Sequence, residues 1–445
     1  MKLKTSYSQI LAISAPIMLG SAAQNVIALS DSVFLYRKSD LDFAAIGFVG
    51  VFYLVVAAIG YGFSRGGQIM IARRMGEGQV QEVGRTFYAM LYFEMALALL
   101  MFLFMVFVCP SFFSFMINSE VIISKSLEYL EFRSWGVFFS YLGVAIVALY
   151  SGVARTNFIF IDMTIMAVVN IVLNYGLIFG KWGLPEMGIA GAGLASTIAE
   201  IVAFVVFLLF ILFDKKVRDY QLFKLPKIDL DLIWRQCSLS LPIVAQAFVG
   251  LGSWFVFFSI VEKLGERELA ISNLVRMVYL LLSIPTWGFA SGVNTMVSNF
   301  IGQGKHHLVM NIIWKTAKIC LAFTILITLP IVLFPHDLLF PLLGDSDPIL
   351  ITEAQPIFYL LLGILTCFSI GGVYFNGLVG AGATYFGLKI QTWCAIAYLV
   401  YIYVIVITIK AGLVWAWASE IFYWIAILVI SLWYLSSNKW HQLKV

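Results

Sequence analysis

Residues 60–79 read GYGFSRGGQIMIARRMGEGQ, and residues 288–305 read GFASGVNTMVSNFIGQGK. The two stretches align at one fixed offset, and the same offset relates several pairs along the two halves of the chain: Pro16 and Pro242, Gly62 and Gly288, Gly66 and Gly292, Met70 and Met296, Gly76 and Gly302, and Gly78 and Gly304. With two residues inserted, Gly152 and Thr156 match Gly380 and Thr384. Because one register holds across a proline and so many glycines, we infer a tandem duplication.

The composition indicates that this duplicated chain folds in a lipid bilayer. Of its 445 residues, 62% are hydrophobic and only 12% are charged, whereas soluble globular proteins carry about 25% charged residues. This excludes a cytoplasmic enzyme, a nucleic-acid binder and a disordered regulator. We expect a multi-pass membrane protein whose main partner is the lipid bilayer.

Twelve segments are long and apolar enough to cross a bilayer, which needs roughly 20 such residues per helix. They lie at 10–36, 43–72, 86–110, 124–150, 157–180, 187–213, 236–262, 268–300, 311–334, 353–380, 384–409 and 413–436. The longest polar stretch separates the sixth segment from the seventh. We therefore predict an all-α membrane protein with an N-terminal six-helix lobe at 1–213, a cytoplasmic linker at 214–235 and a C-terminal six-helix lobe at 236–445.

The basic residues predict the orientation of these spans. With both termini in the cytoplasm, eighteen of the 28 Lys and Arg residues lie on the inner side, and eight, including Arg133, lie on the outer side. The remaining two, Arg65 and Arg276, fall within spans. This excess follows the positive-inside rule, so we expect both termini to be cytoplasmic.

Parallel repeats favour a transporter, because one half can rock against the other and expose a central site to each side in turn. A channel, a receptor or a duplicated scaffold without transport stays an alternative. The sequence has no Walker phosphate-binding loop and no Ser/His/Asp grouping that one leaflet could assemble. We therefore expect neither an enzyme nor a cofactor, and an energy source other than ATP.

The repeated stretches and two later ones resemble the multidrug and toxic compound extrusion (MATE) family. NIVLNYGLIFGKWGLPEMGIAGAGLAST at 170–197 is similar to that family's N-x-x-L-D/N-Y followed by G-x-x-G-A-x-x-A-[ST], and VYFNGLVGAGAT at 373–384 to its G-x-L-x-G-x-G-x-T turn. The resemblance covers nearly the whole chain. It implies two six-helix lobes that export organic, cationic or amphipathic compounds by antiport with H⁺ or Na⁺. It also implies a monomer in the bacterial inner membrane. The alternative is a flippase for lipid-linked oligosaccharides, which would need a cavity lined with Arg and Lys.

Asp31 is the first candidate for coupling, because a charge within a span is costly and marks function by default. Its repeat partner is Phe257, so the carboxylate exists only in the N-terminal half. Such a group can hold a proton or bind Na⁺. The alternative is an aspartate at a helix end that is wetted by the outer solvent.

Asn170 and Asn174 are four residues apart and share one face of the fifth helix. Their amide oxygens suit a cation, although hydrogen bonding between helices is an equal alternative. The resemblance places Asp31, Asn170, Asn174 and Ser196 on the family's N-lobe cation-site positions. Position 174 is often Asp in that family, so Asn174 removes one carboxylate from a possible Na⁺ site.

Glu200 lies one turn beyond Ser196 and either supplies a second acid or pairs with a neighbouring helix for structure. The other charges in spans, Arg65, Glu94, Arg276 and Glu420, are interpreted as structural, and Asp162 lies near an inner end. Pro16 lacks an N–H and permits a kink that could bend when Asp31 is protonated. The polar candidates for substrate contact are Gln24, Asn25, Gln246, Asn294 and Asn376.

Overall fold

The computed structural model describes residues 3–338, 348–437 and 439–443, and this part of the chain is helical with short turns between helices. The all-α membrane fold predicted above is confirmed. The first half contains α1 (Tyr7–Lys38), α2 (Asp40–Glu77), α3 (Glu82–Leu103), α4 (Cys109–Met116), α5 (Glu120–Gly152), α6 (Asn157–Phe179) and α7 (Gly188–Phe213). The second half contains α8 (Leu230–Val261), α9 (Glu266–Leu282), α10 (Ile284–Gly302), α11 (Val309–Leu333), α12 (Pro348–Gly380), α13 (Thr384–Ile402) and α14 (Leu413–Ser436).

In the part of the chain that the structure describes, eleven helical segments are long and apolar enough to cross a membrane, and the bent pair α9 and α10, taken as one span, makes a twelfth. The segment Glu82–Met116 counts as one span, because a π-helical turn at Phe104–Val108 joins α3 to α4. The pair α9 and α10 is bent by 42°. The break falls at Ser283, two residues before Pro285, which cannot donate a backbone hydrogen bond. The predicted eighth span at 268–300 is thus a broken helix.

The chain forms two compact units, Leu19–Val244 and Lys2–Met18 with Ala245–Val445. We call them the first unit and the second unit. Both α1 and α8 begin in one unit and end in the other. In each helix the boundary between the units lies two residues after the internal proline, Pro16 in α1 and Pro242 in α8. The predicted lobes differ from these units, because the structure assigns 3–18 to the second unit and 236–244 to the first. That the two predicted lobes are separate domains stays a prediction.

The repeated glycines explain how the first parts of α1 and α8 are held. In the first unit α2 meets α8 so closely that a Cβ on Gly66 would lie 1.9 Å from Ser240 Oγ. In the second unit α10 meets α1 in the same way, since a Cβ on Gly292 would lie 2.1 Å from Ser14 Oγ. Ser14 and Ser240 are themselves a pair at the offset of the repeat. Each repeat therefore packs its glycine helix against the proline helix of the other repeat.

Ser240 also fixes this crossing by donating from its hydroxyl to the backbone carbonyl of Phe63 at 2.9 Å. Small residues at a crossing let two helix backbones approach closely in lipid, where packing and hydrogen bonds replace the hydrophobic effect. Elsewhere in the chain apolar side chains such as Phe107, Leu212 and Phe255 are exposed. These side chains are suited to contact with lipid.

Replacing Gly66 with Ala should lower the free energy of unfolding by about 1–3 kcal/mol, because the new methyl group overlaps Ser240. Thermal unfolding in detergent would measure the loss. The matched control is Gly47→Ala on the same helix, where a Cβ meets nothing within 4 Å. A second change, Ser240→Gly, should restore part of the stability of Gly66→Ala. Equal melting temperatures for Gly66→Ala and Gly47→Ala would contradict the close crossing.

Candidate functional site

A cavity of about 540 Å³ lies within the first unit. Its wall is built from α1, α2, α5, α6 and α7, and it combines apolar surface with polar and charged side chains. The polar and charged residues on the wall are Gln24, Asp31, Ser32, Tyr53, Tyr61, Tyr129, Arg133, Ser140, Asp162, Asn170, Ser196 and Glu200. The cavity is of the size that small-molecule sites commonly have, roughly 300–1,000 Å³.

Close packing of α7 against α6 brings the predicted cation-site residues together. A Cβ on Gly191 would lie 2.8 Å from the carbonyl oxygen of Leu177, so only glycine permits this approach. Ser196 follows on α7, and Asn170 Nδ2 donates to its hydroxyl oxygen at 3.0 Å. The glycines of the 188–193 stretch thus position one wall of the site.

Asp31 receives hydrogen bonds from two of these helices. Asn174 Nδ2 donates to Asp31 Oδ1, and the Ser196 hydroxyl donates to Asp31 Oδ2 at 3.5 Å. Asn174 Nδ2 also donates to Asn170 Oδ1 at 3.0 Å, and this oxygen accepts a further bond from the Ser30 hydroxyl at 3.4 Å. The structure therefore brings Asp31, Asn170, Asn174 and Ser196 into one hydrogen-bonded cluster.

The cluster retains capacity for a cation. Asp31 is only 8% exposed, and no salt bridge joins it to a cationic side chain in the described residues. Asn174 Oδ1 is buried without a hydrogen-bond donor among those residues. A buried carbonyl oxygen without a partner is unfavourable, and a small cation beside Asp31 would satisfy it. Carboxylate and amide oxygens are hard ligands that can coordinate Na⁺ or accept hydrogen bonds from a hydrated proton.

Glu200 borders the same cavity, but its carboxylate forms an ion pair with Arg133 of α5. The guanidinium donates to both carboxylate oxygens at 2.6 Å, and its carbon lies 3.9 Å from the centre of the Tyr53 ring. Glu200 is therefore held in a bidentate ion pair and does not join the Asp31 cluster. Arg133 was expected on the outer side, and this was wrong: the residue is buried, more than three turns into α5.

The sequence contained a signal for this pair. Arg133 lies inside the predicted span 124–150, and a basic residue within a span is expected to find an acidic partner. Glu200 is the partner that α7 supplies, 67 residues further along the chain. The ion pair could have been proposed by treating Arg133 as a residue of the span.

The predicted substrate contacts are divided between the two units. Gln24 borders the cavity and donates to the hydroxyl oxygen of Tyr61 at 2.5 Å. Asn25, on the next position of α1, is exposed and bonds to the Ser21 carbonyl. Only Gln24 of the candidate substrate residues therefore lies on this cavity.

The other candidates, Gln246, Asn294 and Asn376, belong to the second unit. Gln246 Nε2 donates to the Thr384 carbonyl at 2.9 Å, and Asn376 Nδ2 donates to the Gly372 carbonyl at 2.9 Å. Asn294 Nδ2 lies 3.5 Å from the Asn376 carbonyl oxygen. These contacts join helices or helix turns, and a substrate role for the three residues stays a prediction.

The duplicated helical fold, with its many long apolar helices, defines a multi-pass membrane protein of two related halves. Residues 16–176 and 242–404 each match the protein-family model described as MatE. The two matched segments begin at Pro16 and Pro242, the proline pair of the repeat, and they are nearly equal in length, as a duplication predicts. The chain therefore belongs to the MATE family of multidrug efflux transporters.

Curated relatives support this assignment along the whole chain. A probable multidrug resistance protein NorM from Thermotoga maritima is 24% identical over 98% of this chain and 94% of its own length. A second probable NorM, from Synechocystis sp., is 24% identical over 76% of this chain and 74% of its own length. The multidrug resistance protein MdtK from Klebsiella pneumoniae is 24% identical over 66% of this chain and 65% of its own length.

Solved structures share the fold. An outward-facing multidrug resistance MATE family transporter of the MOP superfamily aligns with a TM-score of 0.87 at 18% identity, over 97% of this chain and 96% of that one. A MOP superfamily transporter from Pyrococcus furiosus aligns with a TM-score of 0.86 over the same shares, also at 18% identity. The likeness covers both repeats.

Removing one member of the Arg133–Glu200 pair should destabilise the protein more than replacing both members with apolar residues. Glu200→Gln leaves a buried guanidinium unpaired, so we expect a loss of about 3–5 kcal/mol in the free energy of unfolding. The double variant with Arg133→Met and Glu200→Leu should lose less than the single one. Denaturation of the purified protein would measure both. A double variant less stable than Glu200→Gln would show that the charges themselves stabilise this fold.

Proposed function

We propose that this protein exports organic cations across the bacterial inner membrane by antiport with H⁺ or Na⁺, and that Asp31 binds the coupling ion. The observation that carries the proposal is the cluster around Asp31: a buried carboxylate, three polar side chains from α6 and α7, and one unpartnered amide oxygen. Burial without a cationic partner favours a group that exchanges a proton or a metal cation.

The coupling requires that the ion favours one conformation over the other. A cation drives the cycle only by its difference in affinity between the inward-open and outward-open states, not by binding alone. The charged groups facing the cavity are Asp31, Asp162 and the paired Arg133 and Glu200. Since that pair is neutral as a whole, the charge of the cavity depends on the two aspartates.

This charge balance also separates the proposal from the flippase alternative. A pyrophosphate-linked lipid requires several unpaired cationic side chains in its cavity. On the cavity of the first unit the cationic side chain is Arg133, and Glu200 neutralises it at 2.6 Å. An excess of carboxylates instead favours positively charged substrates.

Asp31→Asn should uncouple transport from the ion gradient. In proteoliposomes with separately imposed H⁺ and Na⁺ gradients, we expect gradient-driven efflux of an organic cation to fall by roughly tenfold or more, in the range of coupling free energies between sites. Substrate binding should persist, because the bonds from Asn174 and Ser196 remain possible. The gradient that drives wild-type efflux identifies the coupling ion.

Glu94→Gln is the matched control, because Glu94 is another fully buried acid of the first unit and lies outside the cavity wall. The Ser64 hydroxyl donates a hydrogen bond to Glu94 Oε1 at 2.8 Å, and the amide oxygen of a glutamine could still accept this bond. The control should transport like the wild type. Undiminished gradient-driven efflux by Asp31→Asn would exclude Asp31 as the coupling site.

Pro16 is proposed as a hinge, since α1 passes from one unit to the other two residues beyond it. Pro16→Ala restores a backbone N–H and stiffens the helix, so we expect slower efflux with unchanged binding of the coupling ion. Pro242→Ala in α8 should have the same effect, because it occupies the equivalent place. Initial rates of efflux would measure it, and normal rates in both variants would exclude bending at these prolines.

A further inference from the structure

Asp162 is the least satisfied acid of the first unit. Its side chain is fully buried, and neither carboxylate oxygen has a hydrogen-bond partner among the described residues. A buried carboxylate without a partner has a large desolvation cost, and a neutral carboxyl would still leave its own O–H and C=O unpaired. The described part of the chain therefore provides no hydrogen-bond partner for the Asp162 carboxylate.

The position of Asp162 connects it to the cavity. Asp162, Met166 and Asn170 follow one another at intervals of four residues, so they share one face of α6, and all three border the cavity. The helix rises 1.5 Å per residue, which separates the levels of Asp162 and Asn170 by about 12 Å. Asp162 and the Asp31 cluster are therefore two distinct anionic places in one cavity.

The surroundings of the two aspartates suit different cations. Asp31 lies among amide and hydroxyl groups, which can replace the water shell of a small ion. Asn170 of α6 lies level with Ser196 of α7, so Asp162, about two turns earlier on α6, lies level with the part of α7 around Phe204. The wall residues of that part are Ala203, Phe204 and Phe207, and those beside Asp162 on α6 are Met163 and Met166. A small metal ion needs several oxygen ligands, and this wall does not provide them. An organic cation needs one carboxylate for its charge and apolar surface for its body.

Methionine fits such a place particularly well. Its unbranched thioether is flexible and polarisable, and adapts to aromatic ligands of different shape. Met163 and Met166 stand on the wall next to Asp162 and can move aside to open the carboxylate to a ligand. Phe204 and Phe207 provide rings against which a flat cation can stack.

We propose that Asp162 is the charge-recognition group of the substrate subsite, and that it binds the positive group of the exported organic cation while Asp31 binds the coupling ion. This inference rests on the proposed function and adds a division of tasks between the two carboxylates. Because both places share one cavity, a positive charge at one weakens binding of a positive charge at the other. Ion and substrate then compete, as antiport requires.

The test uses the purified full-length protein in nanodiscs of neutral lipid, with ethidium as the organic cation and uncharged 6-phenylphenanthridine as its analogue. Binding is followed by fluorescence, and empty nanodiscs give the background. Asp162→Asn should weaken ethidium binding by at least about tenfold, the effect of removing one partner of a buried charge pair. Binding of the uncharged analogue should change little. Asp162→Glu keeps the charge and should retain most of the affinity for ethidium.

Two further variants separate this inference from the proposed function. Asp31→Asn should bind ethidium with the weaker affinity of the ion-loaded wild type, at every concentration of H⁺ or Na⁺, because its neutral side chain resembles the ion-bound carboxylate. Glu94→Gln should behave like the wild type both in affinity and in competition. Unchanged ethidium binding by Asp162→Asn would overturn the role of Asp162 while leaving the coupling role of Asp31 intact. Equal losses for ethidium and the uncharged analogue would also overturn it, since they would indicate a structural role. A wild-type protein that binds no organic cation would overturn both proposals.

Discussion

Polar groups inside a bilayer have no water to bond, so each of them is costly unless the protein supplies a partner. The first unit meets this constraint in two ways. It neutralises a buried charge with another, as Arg133 does with Glu200, and it surrounds a carboxylate with neutral donors, as Asn174 and Ser196 do for Asp31. The first solution fixes helices α5 and α7 to each other, whereas the second leaves the Asp31 carboxylate without a cationic partner among the described residues.

The same constraint explains why the helices cross so closely. Without a hydrophobic force between them, helices in lipid associate through packing and hydrogen bonds. Gly66 with Ser240, and Gly292 with Ser14, bring the backbones together at equivalent crossings. These contacts hold the first part of α8 in the first unit and the first part of α1 in the second. The chain thus passes between the units within two continuous helices.

Hydropathy and repeat register are local properties, which is why the spans and the duplication could be predicted from the sequence. The four-residue spacing of Asn170 and Asn174 likewise predicted one polar face, which the hydrogen bond between them reflects. The partner of Glu200 could not be read from local spacing, because Arg133 lies 67 residues away on another helix. The boundary of the units also depends on tertiary contacts such as that of Gly66, which no local pattern contains.

In the second unit, different residues occupy the positions that are equivalent to the Asp31 cluster. Phe257 and Tyr398 replace Asp31 and Asn170 in the repeat, and their rings lie 6.1 Å apart within an apolar cluster. The acid of this region, Glu420, accepts hydrogen bonds from Tyr398 at 3.0 Å and from the Trp254 indole at 3.1 Å. Aromatic rings thus fill the space that the first unit leaves to its amides. A small cation would find few oxygen ligands there, and this supports an ion site in one repeat rather than in both.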